Sequence, residues 1–214
     1  MQIGASYSQF HEDVVIATAL GSYRRSYAPC MIDVGANNGQ SWSNSRLFGE
    51  IGWKLILIEP LPKFANDCRL FYSGNDNVVV IESAISSIHG MVDFFATDEP
   101  ERDLLKMGSS LSQEGIPFGL KSRKIAVKTE PLDHVLASQQ VPENYGVLSV
   151  DAEGHDLEVL KTANLARFRP AVICVEMIYG DPRYTDIDAY LVTHQYRYVA
   201  STPSNGIYVN GRDS

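Results

Sequence analysis

The chain has 214 residues, 44% hydrophobic and 21% charged, and a formal net charge of −8. That length suits one domain with one sizeable core, and the composition is ordinary for a soluble globular protein. The acidic balance argues against nucleic acid as a partner, and no apolar run approaches the roughly 20 residues of a membrane span.

The N-terminus, MQIGASYSQFHED, has no basic stretch followed by an apolar one, so it does not read as a secretory signal. Cys30, Cys68 and Cys174 have neither paired nor zinc-like spacing. They read as buried thiols, and a cytoplasmic location is expected. A first helix is expected over Ser8 to Leu20, with Ser6 and Gln9 at capping-box spacing and Phe10, Val14 and Ala17 on one face. Strand-like and helical patterns then alternate. CMIDVG precedes a helix at Ser41 to Phe48, KLILIEP precedes one at Pro62 to Tyr72, and NVVVIESAI follows. GMVDFFATDE and KIAVKTEPL read as two extra strands. YGVLSVDAEG leads into a helix at Asp156 to Phe168, and AVICVEMI into one at Pro182 to Gln195, capped by Asp181. YRYVAS, a TPSNG turn and IYVN close the chain as a hairpin.

Continuous apolar strands alternating with helices imply an α/β, Rossmann-like doubly wound sheet, buried on both faces. A mostly parallel sheet finished by a C-terminal antiparallel hairpin is the plan of class I methyltransferases. The expected organisation is one methyltransferase domain over 1–214. It has an N-terminal helical segment at 1–28 and an acceptor loop region at 98–124, where Gly, Ser, Pro and charge mix without pattern.

The chemistry concentrates at strand ends. In MIDVGANNGQ, Asp33, Gly35 and Gly39 fit the D-x-G-x-G-x-G pattern of S-adenosylmethionine sites, with Asn37 at the middle glycine. A dinucleotide fingerprint needs glycine at 35, 37 and 40, but Asn37 and Gln40 stand there. Asn37 tolerates a left-handed backbone better than most residues. Glu59 ends the next strand about 20 residues on, where an acid accepts hydrogen bonds from ribose hydroxyls. Glu82, Ser83 and Ala84 end the third strand and would lie beside adenine. In LSVDAEGHDLEVL, Asp151 and Glu153 stand two apart at a strand end, His155 lies beside them, and Glu176 ends the following strand. Helix capping and solvated strand ends are the plain alternative for these acids.

Together these segments resemble the FkbM family of methyltransferases. The resemblance rests on YSQFHED (7–13), IDVGANNGQSWSNS (32–45), GWKLILIEPLP (52–62), ESAIS (82–86), VKTEPLDHVL (127–136), VDAEGHDLEVL (150–160) and VICVE (172–176), in the family's order. It implies a class I fold, S-adenosylmethionine as cofactor, and O-methyl transfer to a sugar or glycan, free or nucleotide- or lipid-linked. By matching position Asp33, Gly35, Ala36, Asn37, Gly39, Glu59 and Pro60 would hold the cofactor, with Ser83, Ala84, Ser110 and Asp151 beside it. The first helix would fold over it through Ser8, Gln9, Glu12 and Asp13, a polar group such as Gln9 reaching the amino acid end, with helix capping and solvation as the plain alternative. Asp151 and Glu153 would be the acidic pair and either would serve as the base, with His155 as runner-up. Asp151, Glu153 and Glu176 also offer hard oxygen ligands to Mg²⁺, an open alternative. KSRKIAVK could meet a phosphate, and Trp42, Tyr179 and Tyr184 could stack on a sugar. Other readings are methylation of a non-sugar natural product, a NAD-linked oxidoreductase and an inactive cofactor-binding module.

Overall fold

The computed structural model describes residues 6–97, 111, 122–177 and 183–212. Among them a seven-stranded sheet has the order β3-β2-β1-β7-β8-β10-β9. Its strands are β1 (Ala28–Val34), β2 (Lys54–Ile58), β3 (Val78–Ile81), β7 (Tyr145–Val150), β8 (Val172–Glu176), β9 (Tyr196–Ser201) and β10 (Asn205–Asn210). β1, β2, β3, β7 and β8 pair in parallel, and β10 pairs antiparallel with both β8 and β9. The parallel sheet and closing hairpin expected from the sequence are therefore present. The two extra strands, β5 (Gly90–Thr97) and β6 (Ser122–Glu130), leave this sheet and join β4 (Ala84–Ile85) in a small one of their own.

Strand alternation assigns residues to two cores. Ile32 and Val34 of β1 and Ile173 and Val175 of β8 face one side. There they meet Leu136 of α4 (Leu132–Ser138), Leu160 of α5 (Asp156–Thr162) and Leu191 of α6 (Arg183–Thr193). Met31, Val172 and Cys174 face the other. They pack with Ile16 of α1 (Glu12–Ser22), Phe48 of α2 (Arg46–Glu50) and Cys68 of α3 (Pro62–Phe71). Central strands covered on both faces must be apolar throughout. Of the 47 buried hydrophobic side chains among the described residues, few lie outside these two layers. All three cysteines are buried and unpaired.

Three helices depart from expectation by more than two residues. α1 begins at Glu12 rather than Ser8, because the Asp13 carboxylate collects the preceding residues into a turn. Ser6 donates to Asp13 and forms no capping box with Gln9. α2 starts at Arg46, since Trp42 takes a left-handed φ of 54° and Ser8 bridges to it. α5 stops at Thr162, just before Asn164 turns left-handed at φ 49°. α4, which starts inside the segment matched at 127–136 and runs to Ser138, is a helix that the periodicity had not marked. Among the described residues no helix is long and apolar enough to cross a membrane.

Candidate active site

The sheet order reverses between β1 and β7, and ligands of open α/β sheets bind outside the carboxyl ends of strands at that switch point. A cavity of about 360 Å³ lies there, within the range of small-molecule sites. One wall is the turn after β1. Gly35 has φ +84°, and a Cβ on it would fall 1.9 Å from the carbonyl oxygen of Asp151, so only glycine lets β1 and β7 close at this point. Asn37 sits at φ 50°, as its amide side chain allows. Gly35, Ala36 and Asn37 line the cavity. Gly39 does not. It has φ +68° and lets the turn pack against Cys68 and Tyr72 of α3 and its C-cap, which a Cβ would meet at 3.0 and 3.2 Å.

Asp33 is 4% exposed and works inside the wall. Ser45 Oγ donates to its Oδ2 at 2.6 Å, and the Ser149 hydroxyl is its second partner. Burial holds this carboxyl above its ordinary pKa, although the two hydroxyls oppose the rise. Asn44 Nδ2 donates to Ser149 Oγ at 3.2 Å, so the network joins β1, β7 and the Ser43–Ser45 loop. Sequence reasoning had marked Asp33 for the ligand and had not seen the serines. Ser45 stands inside an expected helix and Ser149 inside an apolar strand run, so neither gives a signal of its own.

Glu59 follows β2 and is 5% exposed. The Asn37 N–H donates to its Oε2 and the Leu61 N–H to its Oε1, both at 2.9 Å. The carboxylate thus fastens the glycine turn to β2, and each oxygen keeps lone-pair capacity for a ligand hydroxyl. Burial pushes its pKa up to about 7, against the two N–H donors, with Asp33 adding to the rise. Pro60, Ser83 and Ala84 complete this side of the cavity, together with Ile85, Phe94 and Leu111. Glu82 turns outward to pair with Arg69 at 3.1 Å.

Opposite lies the turn after β7. Asp151, Glu153 and His155 all line the cavity. The turn is held by Asp156, whose carboxylate accepts the Ala152 N–H at 2.7 Å and the Gly154 N–H at 3.1 Å. Glu153 takes φ 49° and Gly154 φ +89°. A non-glycine residue in that region is strained and persists only when its surroundings fix it. Asp151 is pushed well above the usual carboxylate range by burial, then by Glu176, Glu153 and Asp156 nearby. Glu153 rises for the same reasons, partly opposed by Arg183 of α6. Burial lowers His155, which keeps its imidazole neutral and basic near pH 7.

The structure therefore brings Asp33, Gly35, Ala36, Asn37, Glu59, Pro60, Ser83, Ala84, Asp151, Glu153 and His155 to one cavity. Gln9 is exposed and is not among the lining residues. Ser110, Tyr179 and most of 98–124 lie outside the described residues. Nothing among the described residues supports the Mg²⁺ alternative: Glu176, though near enough to raise Asp151, lines a second, smaller cavity with Arg183 and Tyr184. Among the described residues no group of three or more His, Cys, Asp or Glu is placed to hold a metal ion.

The family model described as the methyltransferase FkbM domain matches residues 33–198. Among solved structures, methyltransferase FkbM from Methylobacillus flagellatus KT superposes with a TM-score of 0.54 at 18% identity, covering 88% of this chain and 45% of that one. This chain thus spans less than half the length of that protein. Precorrin-6y C5,15-methyltransferase from Geobacter metallireducens GS-15 gives 0.50 at 14% identity, covering 92% and 87%. The human methyltransferase 10 domain containing protein gives 0.51 at 13%, covering 94% and 80%. At these identities the likeness is one of fold, that of class I methyltransferases. A comparison with curated proteins finds no match.

Proposed function

The chain belongs to the FkbM methyltransferase family, and from that premise we propose that it transfers a methyl group from S-adenosylmethionine to a hydroxyl of a sugar or glycan. The observation that carries the reading is the shared cavity. A ribose-type acid, Glu59, and a glycine turn face Asp151, Glu153 and His155 across one switch-point cleft. The residues suit the cofactor. Left-handed Gly35 and Asn37 give close backbone approach, Glu59 keeps acceptor capacity for hydroxyls, and the wall at Ser83, Ala84 and Phe94 suits a flat base. When bound, the cofactor supplies a methyl carbon activated by a sulfonium.

The residues of this chain then have two tasks. Rigid turns hold the reactants in line, which contributes several kcal/mol by orientation alone. A base removes the proton of the acceptor hydroxyl, a contribution of about 10²–10⁴-fold. Asp151 or Glu153 takes this role, with His155 as runner-up. Their raised pKa values make the carboxylates stronger bases than solvated acids, provided the site is ionised when it works. A nearby cationic ligand favours that ionised form. A chain of this family with a single domain over 1–214 and an acceptor region at 98–124 completes the reading. Calorimetry with S-adenosylhomocysteine and NAD, then methyl-transfer assays on a glycan panel, tests it. Binding of NAD alone would reject the cofactor, and transfer only to non-glycan hydroxyls would reject the acceptor.

A further inference from the structure

The acids of YSQFHED have a purpose that the cavity alone does not reveal. Asp13 is fully buried. Its Oδ1 accepts from Ser6 Oγ at 2.7 Å, Ser8 Oγ at 2.8 Å and the Val14 N–H at 2.9 Å, and its Oδ2 accepts from the Tyr7 N–H at 2.7 Å. A buried carboxylate needs such donors, and charge-assisted bonds of this length are strong. They fix Ser6–Ser8 as a short strap ahead of α1. Glu12, also buried, ties the same segment to the hairpin turn, accepting from Thr202 Oγ1 at 2.6 Å and Asn205 Nδ2 at 3.3 Å.

The strap touches the cavity wall at two points. Ser8 pairs with Trp42 in an isolated parallel bridge. The Tyr7 ring lies under the Arg46 guanidinium, 4.1 Å from its centroid, and Arg46 Nη1 donates to the Gln40 carbonyl at 3.3 Å. Between these points runs Ser41–Asn44, which lines the cavity. Within it Trp42 is left-handed at φ 54° and 40% exposed, a conformation that its own side chain does not favour.

We propose that Asp13 is a positioning residue for ligand binding: through Ser8 and Tyr7 it holds the Ser41–Asn44 wall in the shape the cofactor meets. The proposal rests on the reading of the cavity as the S-adenosylmethionine site. Asp13→Asn keeps the size but turns one acceptor into an NH₂ donor, which must face a donor it cannot bond. Ser8→Ala removes the hydroxyl that links Asp13 to the residue bridging Trp42, and Ser8→Thr keeps it.

The test measures S-adenosylhomocysteine affinity by calorimetry and Trp42 emission, taken as the difference between each protein and its Trp42→Phe counterpart. Asp13→Asn and Ser8→Ala are expected to weaken affinity by about tenfold and to red-shift Trp42 emission, and Ser8→Thr to restore both. Affinity within about twofold of wild type in folded Ser8→Ala, with unchanged Trp42 emission, overturns the proposal even if Asp13→Asn does not fold. Wild-type protein that does not bind S-adenosylhomocysteine rejects the cofactor reading instead. Trp42 emission unmoved by Ser8→Ala would then still count against the strap.

Discussion

Glu59→Gln separates two effects of one buried carboxyl, stability and ligand recognition. The native pKa of Glu59 is about 7 against an ordinary value of 4.5. A carboxyl with a raised native pKa holds its proton more tightly when folded, so its stabilising contribution is complete below pH 4.5 and is lost as pH rises to about 7. At roughly 1.4 kcal/mol per pH unit, the ionised form costs the fold about 3 kcal/mol by pH 8. Glutamine cannot ionise, but its NH₂ must face the N–H of either Asn37 or Leu61, leaving one donor unmatched. That mismatch costs about 1–3 kcal/mol at every pH. Urea denaturation at pH 5 should therefore find the variant less stable by about that amount. By pH 8 the gap should close or reverse, since wild type alone carries the cost of charge. Raised carboxyls distant from Glu59 titrate in both proteins and cancel in the difference, while Asp33, which couples to it, shifts modestly between them. The variant should also bind S-adenosylhomocysteine more weakly, at pH 8 above all. A stability gap that stays constant from pH 5 to pH 8 would refute the raised pKa, and unchanged affinity would refute the contact with the ligand.

Gly35→Ala should lose at least about 2 kcal/mol and most ligand affinity, because the new Cβ overlaps the Asp151 carbonyl oxygen at 1.9 Å in a left-handed backbone. Urea melts and calorimetry measure both. Asp151→Asn and Glu153→Gln should keep S-adenosylhomocysteine binding yet lower kcat by about 10²–10⁴-fold if they share the proton-handling role. The acid limb of the kcat/KM profile identifies the base. A carboxylate raised by burial gives a limb well above pH 4.5, whereas His155, lowered by burial, gives one below pH 6.5 that vanishes in His155→Ala. Asp156→Ala should cost about 2–4 kcal/mol by losing two charge-assisted bonds, and kcat should fall as the Ala152–Gly154 turn loosens.

What the sequence by itself determined was whatever depends on local period and spacing. The apolar runs of β1, β2, β7 and β8 named buried parallel strands, because both faces of a central strand must be apolar. The glycine turn, Glu59 and the Asp151–Glu153 pair were legible because strand ends on one edge of such a sheet share a cleft. Only the tertiary structure decided which acids line the cavity and which build the turns behind it. Glu12 answers to Thr202 and Asn205, far along the chain, and Asp33 to Ser45 and Ser149. Asp156 spends its oxygens on the turn behind it, while Glu176 opens to a different cavity. A carboxylate's direction is set by loop dihedrals, such as φ 49° at Glu153, and by donors brought near only when the chain folds. Neither is written in a residue's immediate neighbours, so Glu12 and Asp13, which in sequence were candidates for folding over the cofactor, are taken up by Ser6, Ser8, Thr202 and Asn205.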